Sequence, residues 1–195
     1  IVLNTEGAVE VYDNVDGQWC PVGYESYEST NLQKTPKDAS ANHSYIFYTT
    51  GSTGQAKAIL GSHKGLSHFI DWEIDEVGVK PGYRVSQLIH PVFDASLREI
   101  FVPLCAGATL CIPESETFQN TENLVKWLSD SQISMIHCVP SLLRLMMDSM
   151  DDAMEGLDAL KYVLVSGEPL YVKDVKKWRS KAGEQSQLVN LYGTT

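Results

Sequence analysis

The sequence predicts an α/β fold, a doubly wound and mostly parallel sheet with helices on both faces. Short apolar and β-branched runs alternate with helically spaced apolar residues across roughly 150 residues, which is typical of repeated βα units. Polar or glycine-rich clusters follow several of these runs directly. Ligands of such sheets bind beyond the carboxyl ends of the strands, so we expect the clusters to share one edge.

The individual elements follow from the hydrophobic period, which is near two in strands and near 3.6 in helices. Apolar runs predict strands at 1–4, 9–12, 45–48, 85–89, 108–112, 133–138, 162–165 and 188–191. Helical spacing predicts helices at 62–74, 97–104, 124–128, 141–150 and 171–181, the first capped by Ser62. The polar, aperiodic stretch 14–42 predicts a long surface connection.

Length and composition restrict the possible functions. At 195 residues the chain fits one domain or one large subdomain. A formal charge of −10 opposes nonspecific binding to nucleic acid or to an anionic membrane, and no apolar run is long enough to cross a bilayer. The cysteines form no C-x-x-C pair and the histidines no zinc pattern. We therefore expect buried, reduced thiols in a cytoplasmic protein, with no metal site in this chain.

The most distinctive stretch is 45–57, where an aromatic run ends in glycines, hydroxyls and a lysine. Glycines let backbone N–H groups approach an anion, while hydroxyls and a lysine supply further donors and positive charge. The predicted phosphate-binding residues are Thr50, Gly51, Ser52, Thr53, Gly54 and Lys57. An ordinary turn is the alternative, because these residue types are also common in turns. The spacing does not match a Walker A loop.

Asp94 stands between a predicted strand and a predicted helix. It could cap the helix, with Ser96 nearby. Alternatively, its carboxylate lies on the ligand-binding edge and pairs with a cationic group of a substrate, which would discriminate strongly against uncharged analogues.

Four motifs together resemble the amino-acid adenylation domains of nonribosomal peptide synthetases, which belong to the adenylate-forming enzymes. T-T-G-S-T-G followed by lysine resembles Y-T-S-G-S-T-G-x-P-K-G, with Ala56 in place of the proline and Ala58 in place of the last glycine. F-D-A-S at 93–96 resembles F-D-x-S, S-G-E-P-L at 166–170 resembles G-G-x-P-L, and Y-G-T-T at 192–195 resembles the start of Y-G-x-T-E. The resemblance is strongest from 45 onward and implies a flavodoxin-like subdomain.

The resemblance also implies roles for single residues. Asp94 would hold the substrate's α-ammonium, which favours an amino acid over a fatty acid. The side-chain pocket would include Ala95, Arg98, Ser141, Leu164, Ser166 and Leu191. Arg98 could instead form an ion pair or reach solvent, and the others could be ordinary core residues. If Arg98 faces the pocket, it would favour an acidic or strongly hydrogen-bonding side chain.

The nucleotide contacts are implied in the same way. The adenine would lie against Gly167, Glu168, Pro169 and Tyr192. Thr195 would contact the α-phosphate, and a glutamate expected just beyond it would hold Mg²⁺. The implied reaction joins ATP and an amino acid into an aminoacyl-adenylate with release of pyrophosphate, before transfer to the phosphopantetheine thiol of a carrier-protein domain.

The chain begins in a predicted strand and stops in a predicted loop, so we expect 1–195 to be a single subdomain excised from a larger adenylation domain. Its partners would be the amino acid, the remainder of that domain and the carrier domain. We expect the excised piece alone to be inactive. Two alternatives stay open: a fragment of an acyl- or aryl-CoA ligase, and a non-catalytic docking module. The sequence does not identify the amino acid or the oligomeric state.

Overall fold

The computed structural model describes residues 2–3, 9–10, 12–15, 18–21, 43–50, 56–150, 157–182 and 185–193. The chain divides into two compact units, Ile1–Ala41 and Asn42–Thr195, whereas the sequence predicted a single unit over 1–195. The difference arises because the described strands of the first unit pair only with one another.

The first unit contains two antiparallel strand pairs. β1 (Val2–Leu3) pairs with β2 (Val9–Glu10), and β3 (Tyr12–Val15) pairs with β4 (Gln18–Pro21). The second pair extends into 14–42, so the beginning of the predicted connection is a hairpin. The remainder of that prediction, 22–42, lies outside the described residues.

The second unit begins with an antiparallel hairpin of β5 (His43–Thr50) and β6 (Ala56–Ser62). The sequence predicted a strand at 45–48 within the mostly parallel sheet, whereas β5 pairs antiparallel with β6, a strand that was not predicted. Apolar residues after the loop continue as a strand, with Phe47 opposite Ile59. The Tyr45 ring lies over Gly61, so a Cβ at this position would displace the ring.

The main sheet has five parallel strands in the order β11-β10-β9-β7-β8, which confirms the predicted fold class. Its strands are β7 (Arg84–Ser86), β8 (Thr109–Cys111), β9 (Met135–Cys138), β10 (Tyr162–Val165) and β11 (Gln187–Asn190). The helices are α1 (His63–Val77), α2 (Ser96–Cys105), α3 (Thr121–Asp130), α4 (Pro140–Ser149) and α5 (Val172–Ala182). A 3₁₀ helix at Ser115–Gln119 was not predicted.

Successive strand residues point to opposite sides of this sheet and create two hydrophobic cores. Ile136, Val163 and Val165 pack with residues of α3, α4 and α5. Met135 and Leu164 pack with residues of α1 and α2. The helices therefore cover both faces, as the near-continuous apolar strands predicted.

Helix α1 begins and ends at recognisable caps. The predicted N-cap Ser62 is confirmed, since its hydroxyl accepts a hydrogen bond from the Gly65 N–H at 3.1 Å. Gly78 ends the helix in the left-handed region at φ 70°, and its N–H donates to the Ile74 carbonyl. Among the described residues, no helix is long and apolar enough to span a membrane.

Strand β7 is shorter than the predicted 85–89 because the N–H groups at the end of that segment bond to a buried carboxylate and not to a neighbouring strand. Glu99, on α2, accepts hydrogen bonds from the N–H groups of Leu88 at 3.0 Å and Ile89 at 2.8 Å. Burial raises the pKa of Glu99 to about 7, although both hydrogen bonds lower it. The carboxylate thus fixes the segment between β7 and the turn that carries Asp94.

The cysteines agree only in part with the expectation that their thiols are buried. Cys111 and Cys138 are buried free thiols, as predicted, whereas the free thiol of Cys105 is exposed at the end of α2. Burial raises the pKa of Cys138 to about 12, so this thiol is neutral at physiological pH.

Replacing Leu143 by alanine tests the core beneath the sheet. Leu143 is fully buried on α4, so Leu143→Ala should lower the free energy of unfolding by about 3 kcal/mol. Leu145→Ala on the same helix is the matched control, because this side chain is 55% exposed. Its effect should stay within about 0.5 kcal/mol in urea unfolding. Equal losses in the two variants would contradict the described core.

Glu99 should make stability depend on pH. Its pKa is raised from 4.5 to about 7 in the folded chain. Its contribution to stability is therefore complete below pH 4.5 and is lost as the pH rises through about 7. Urea unfolding over this interval should show a falling difference in unfolding free energy between the wild type and Glu99→Gln. A difference that stays constant with pH would show that Glu99 titrates normally.

Candidate functional site

The carboxyl edge of the parallel sheet brings together several of the predicted site residues. The Ser166 N–H donates to the Cys138 carbonyl at 3.2 Å, and the Leu191 N–H donates to the Val165 carbonyl at 2.8 Å. These bonds extend the strand ladders by one residue into the loops. One edge of the sheet consequently carries Ser166, Leu191 and, at the start of α4, Ser141.

Glu168 joins the loop after β10 to the N-terminus of α4. Its carboxylate accepts hydrogen bonds from the Ser141 N–H at 2.9 Å and the Ser141 hydroxyl at 2.8 Å. Helix α4 has no capping side chain at Val139, so Glu168 satisfies an N–H group of the first turn. The predicted pocket residue Ser141 and the predicted adenine-binding residue Glu168 are therefore in direct contact.

A second set of contacts, made by residues of α4 and α5, holds the loop after β10. Arg144 donates to the Pro169 carbonyl at 2.9 Å and to the Asp174 carboxylate at 3.1 Å. Asp174 also accepts from the Tyr171 N–H at 3.1 Å. Desolvation alone would raise the pKa of Asp174, but the hydrogen bonds from Tyr171 and Arg144 hold that pKa below its usual value. The loop from 166 to 171 is thus fixed at both ends.

Asp94 lies half-buried in the turn before α2. Its carbonyl accepts from the Leu97 N–H at 3.0 Å, but its side chain does not cap the helix. Within the described part of the chain, no group donates a hydrogen bond to its carboxylate. Its charge does act on Arg98, four residues later. The capping role considered for Asp94 is therefore wrong, and its carboxylate is available to a ligand.

Arg98 does not reach solvent, which corrects one of the alternatives considered for it. The residue is only 7% exposed, and its guanidinium lies 5.7 Å from the centroid of the Phe69 ring on α1. Its Nε atom is 3.8 Å from Oε2 of Glu73. Burial lowers the pKa of Arg98, against the opposing effects of nearby carboxylates, yet the group stays charged at physiological pH.

Glu73 is fully buried in α1, and its Oε1 lies 2.6 Å from Nε2 of His137 on β9. Burial would raise the pKa of Glu73, but the hydrogen bond with His137 and the positive charge of Arg98 hold it below its usual value. Burial lowers the pKa of His137 despite the Glu73 contact. We therefore assign an ionised Glu73 accepting from the Nε2–H of a neutral imidazole.

Sequence reasoning missed Glu73 and His137, although both left a signal. Glu73 shares the apolar stripe of α1 with Leu66, Ile70 and Val77, where an unpaired acid would be costly. His137 is the polar member of the buried strand β9. A buried acid and a buried histidine each predict a polar partner. Because 64 residues separate them in the chain, the sequence does not show that they pair with each other.

The remaining predicted residues fall into three groups. Ala95 is half-buried beside Asp94, and Leu164 is buried in the core between the sheet and α1 and α2. Thr50 belongs to β5 and Lys57 to β6, and their side chains are not among those that the structure describes. The remaining phosphate-loop residues Gly51, Ser52, Thr53 and Gly54, together with Thr195, lie outside the described residues altogether.

The edge has features that suit an aromatic base. Tyr192 is 97% exposed, and Leu191 before it is hydrogen-bonded to the end of β10. Gly167 adopts φ 85° in the adjacent loop, and a Cβ there would meet only the Val139 side chain within 4 Å. An exposed ring beside an accessible backbone can pack against a planar ligand. Among the described residues, no group of three or more His, Cys, Asp or Glu could hold a metal ion.

Comparison with known sequences gives one family and several relatives. The family model of AMP-binding enzymes matches residues 3–195. The L-proline--[L-prolyl-carrier protein] ligase of Pseudomonas fluorescens is 34% identical over 180 residues, which are 92% of this chain and 35% of that protein. The delta-poly-L-ornithine synthetase of Acinetobacter baumannii is 34% identical over 168 residues, 86% of this chain and 12% of the relative. The chain thus spans about a third or less of these relatives.

Solved structures agree with the sequence comparison. The Vibrio cholerae adenylation domain AlmE, in complex with glycyl-adenosine-5'-phosphate, has a TM-score of 0.70 at 25% identity, over 78% of this chain and 28% of that one. The AMPPNP-bound form of the nonribosomal peptide synthetase FmoA3 has a TM-score of 0.69 at 25% identity, over 79% and 16%. The resemblance drawn from the motifs is confirmed, and the chain belongs to the family of AMP-binding enzymes.

Proposed function

We propose that this chain is the part of an amino-acid adenylation domain that selects the amino acid and holds ATP. The observation that carries the proposal is Asp94, a half-buried carboxylate without a hydrogen-bond donor among the described residues, placed in a turn beside the ligand edge. Such a group is suited to bind an ammonium ion. The names of the proline ligase and ornithine synthetase relatives, which refer to amino acids, support the same substrate class.

In this proposal the chain positions two reactants rather than supplying a nucleophile. Asp94 anchors the α-ammonium, so that the carboxylate of the amino acid is held towards the nucleotide. ATP supplies the adenylyl group, with pyrophosphate as the leaving group. Lys57 and the N–H groups of 50–54 neutralise the phosphate charge, as expected for reactions that depend on electrostatic stabilisation.

The nucleotide would lie between the phosphate loop and the rim formed by 166–170 and Tyr192. The AMPPNP-bound relative supports ATP as the nucleotide. Thr195 would contact the α-phosphate, and Mg²⁺ would be held by a glutamate beyond it. The synthetase relatives support a carrier-protein domain and the rest of the adenylation domain as partners. A cytoplasmic location is part of the same proposal.

Asp94→Asn tests the anchoring role in the complete adenylation domain. Loss of the negative charge should lower kcat/KM for the amino acid by about 100-fold in ATP–pyrophosphate exchange, because a desolvated ammonium loses its counter-charge. The KM for ATP should not change. Asp75→Asn, an exposed acid on α1, is the control. Full amino-acid activation in Asp94→Asn would contradict the anchoring role of Asp94, whereas exchange with an acyl or aryl acid but with no amino acid would favour an acyl- or aryl-CoA ligase.

Lys57→Ala tests the phosphate loop in the same domain. Removing the positive charge should reduce the exchange rate on the order of tenfold or more, because the phosphate oxygens lose a charged donor. Lys64→Ala, on the exposed side of α1, should retain normal exchange. If Lys57→Ala exchanges pyrophosphate at the rate of the wild type, Lys57 does not act on the phosphates and its proposed role is wrong. A wild-type domain without any exchange activity would favour a docking module.

A further inference from the structure

Glu99 is a fully buried acid on α2 to which the proposed function assigns no role. Both of its carboxylate oxygens bond to one short backbone segment. Oε1 accepts from the Leu88 N–H at 3.0 Å, and Oε2 accepts from the Ile89 N–H at 2.8 Å. Both distances are those of good hydrogen bonds. Two bonds to neighbouring residues fix the position and the orientation of this segment relative to α2.

The place of Glu99 in the chain makes it the closing contact of a loop. The Gln87 N–H, just after β7, donates to the Cys111 carbonyl at 2.9 Å. Glu99, in the first turn of α2, accepts the next two N–H groups of the chain. One side chain thus ties together the two ends of 88–99, which we call the Asp94 loop because Asp94 lies near its middle.

The other hydrogen bonds of the Asp94 loop act at short range. The Phe93 N–H donates to the His90 carbonyl at 3.0 Å, and the Ser96 hydroxyl donates to the Phe93 carbonyl at 2.7 Å. The Leu97 N–H donates to the Asp94 carbonyl at 3.0 Å. These bonds determine the shape of the turn itself. The bonds of Glu99 determine the path by which the chain reaches that turn from β7.

An acid is an unfavourable residue for packing at this position. Burial raises the pKa of Glu99 to about 7, against the effect of both hydrogen bonds. A leucine would occupy similar space without burying a charge, but it would leave the two N–H groups without their acceptor. The benefit of the acid therefore lies in the backbone that it holds.

We propose that Glu99 is a positioning residue for Asp94: its two hydrogen bonds fix the Asp94 loop and thereby place the carboxylate that binds the ammonium group of the substrate. The inference rests on the proposed function, which assigns that ammonium to Asp94. Glu99 acts through the loop and touches neither reactant. Because a misplacement of about 1 Å can lower a rate on the order of 100-fold, loosening this loop should impair use of the amino acid. Binding of ATP, assigned to other loops, should be spared.

The first test is Glu99→Gln in the complete adenylation domain, measured by ATP–pyrophosphate exchange. The probe is the standard protein amino acid that gives the wild type its highest kcat/KM. Glutamine keeps one acceptor but presents its amide N–H groups to the second backbone N–H, so one bond is lost. The KM for the amino acid should rise about tenfold, and the KM for ATP should stay within about twofold.

Glu76→Gln, an exposed acid on α1, is the control for the first test and should change neither KM. If the KM for the amino acid in Glu99→Gln stays at the wild-type value, or rises no more than the KM for ATP, the inference is overturned.

The second test is a double-mutant cycle with Asp94→Ala, which removes the carboxylate that Glu99 is proposed to place. In this background Glu99→Gln should lower kcat/KM for the amino acid by less than about twofold, because residues that act through one another are not additive. A merely structural role would lower kcat/KM by the same factor in both backgrounds, and that result would contradict the inference.

The third test uses the wild-type domain and requires no variant to fold. Hydrogen exchange of the Leu88 and Ile89 amides is compared between two saturating ligands, a non-hydrolysable aminoacyl-adenylate analogue and the same compound without its α-amine. The coupling is reciprocal, so an amine bound to Asp94 should stabilise the closed loop and slow exchange of both amides about tenfold. Equal exchange with the two compounds would overturn the inference.

Failure of the inference differs from failure of the proposed function. If Asp94→Ala activates the amino acid fully, or if no amino acid supports exchange, the proposed function is wrong and the inference falls with it. If Asp94→Ala lowers activation but Glu99→Gln lowers it by the same factor with and without Asp94, the proposed function stands and the role of Glu99 is wrong.

Discussion

The carboxylate of Glu73, buried in the middle of α1, is the constraint on which the site depends. Burying an ion costs several kcal/mol unless it is paired, and removing one partner of such a group leaves an uncompensated charge. The charge of Glu73 is paired only when α1, α2 and β9 are in place together, because His137 and Arg98 come from the other two elements. The same three elements determine where Asp94 lies, since α2 begins directly after its turn.

A second constraint comes from the parallel sheet, whose strands all end at one edge. The bonds from Ser166 to Cys138 and from Leu191 to Val165 carry the ladders into the loops. Glu168 then fixes the loop after β10 to the N-terminus of α4 through Ser141. Glu99 does the same for the segment after β7 by accepting its two N–H groups. Buried or capping acids therefore hold the loops that the sheet itself leaves free.

The sequence was sufficient for the fold class because that depends on local periodicity. Strand β10 and the cap Ser62 were located within a residue, since an apolar run or a hydroxyl before a helix is a local signal. Strand pairing is not local. The apolar residues after Gly54 could equally begin a helix or return as β6, and only the antiparallel register with Phe47 decides between them.

The site was predictable where a motif exists and not where a contact is formed across the fold. F-D-A-S identified Asp94 as a candidate residue, but nothing near Arg98 in the sequence shows that its partner is Glu73, 25 residues earlier on another helix. For the same reason the ligand-facing and solvent-facing interpretations of Arg98 could not be separated.

The most direct measurement is a crystal structure of the complete adenylation domain with a bound, non-hydrolysable aminoacyl-adenylate analogue. The account predicts the amine nitrogen of the ligand within about 3.2 Å of the Asp94 carboxylate. An amine bound away from Asp94 would contradict it.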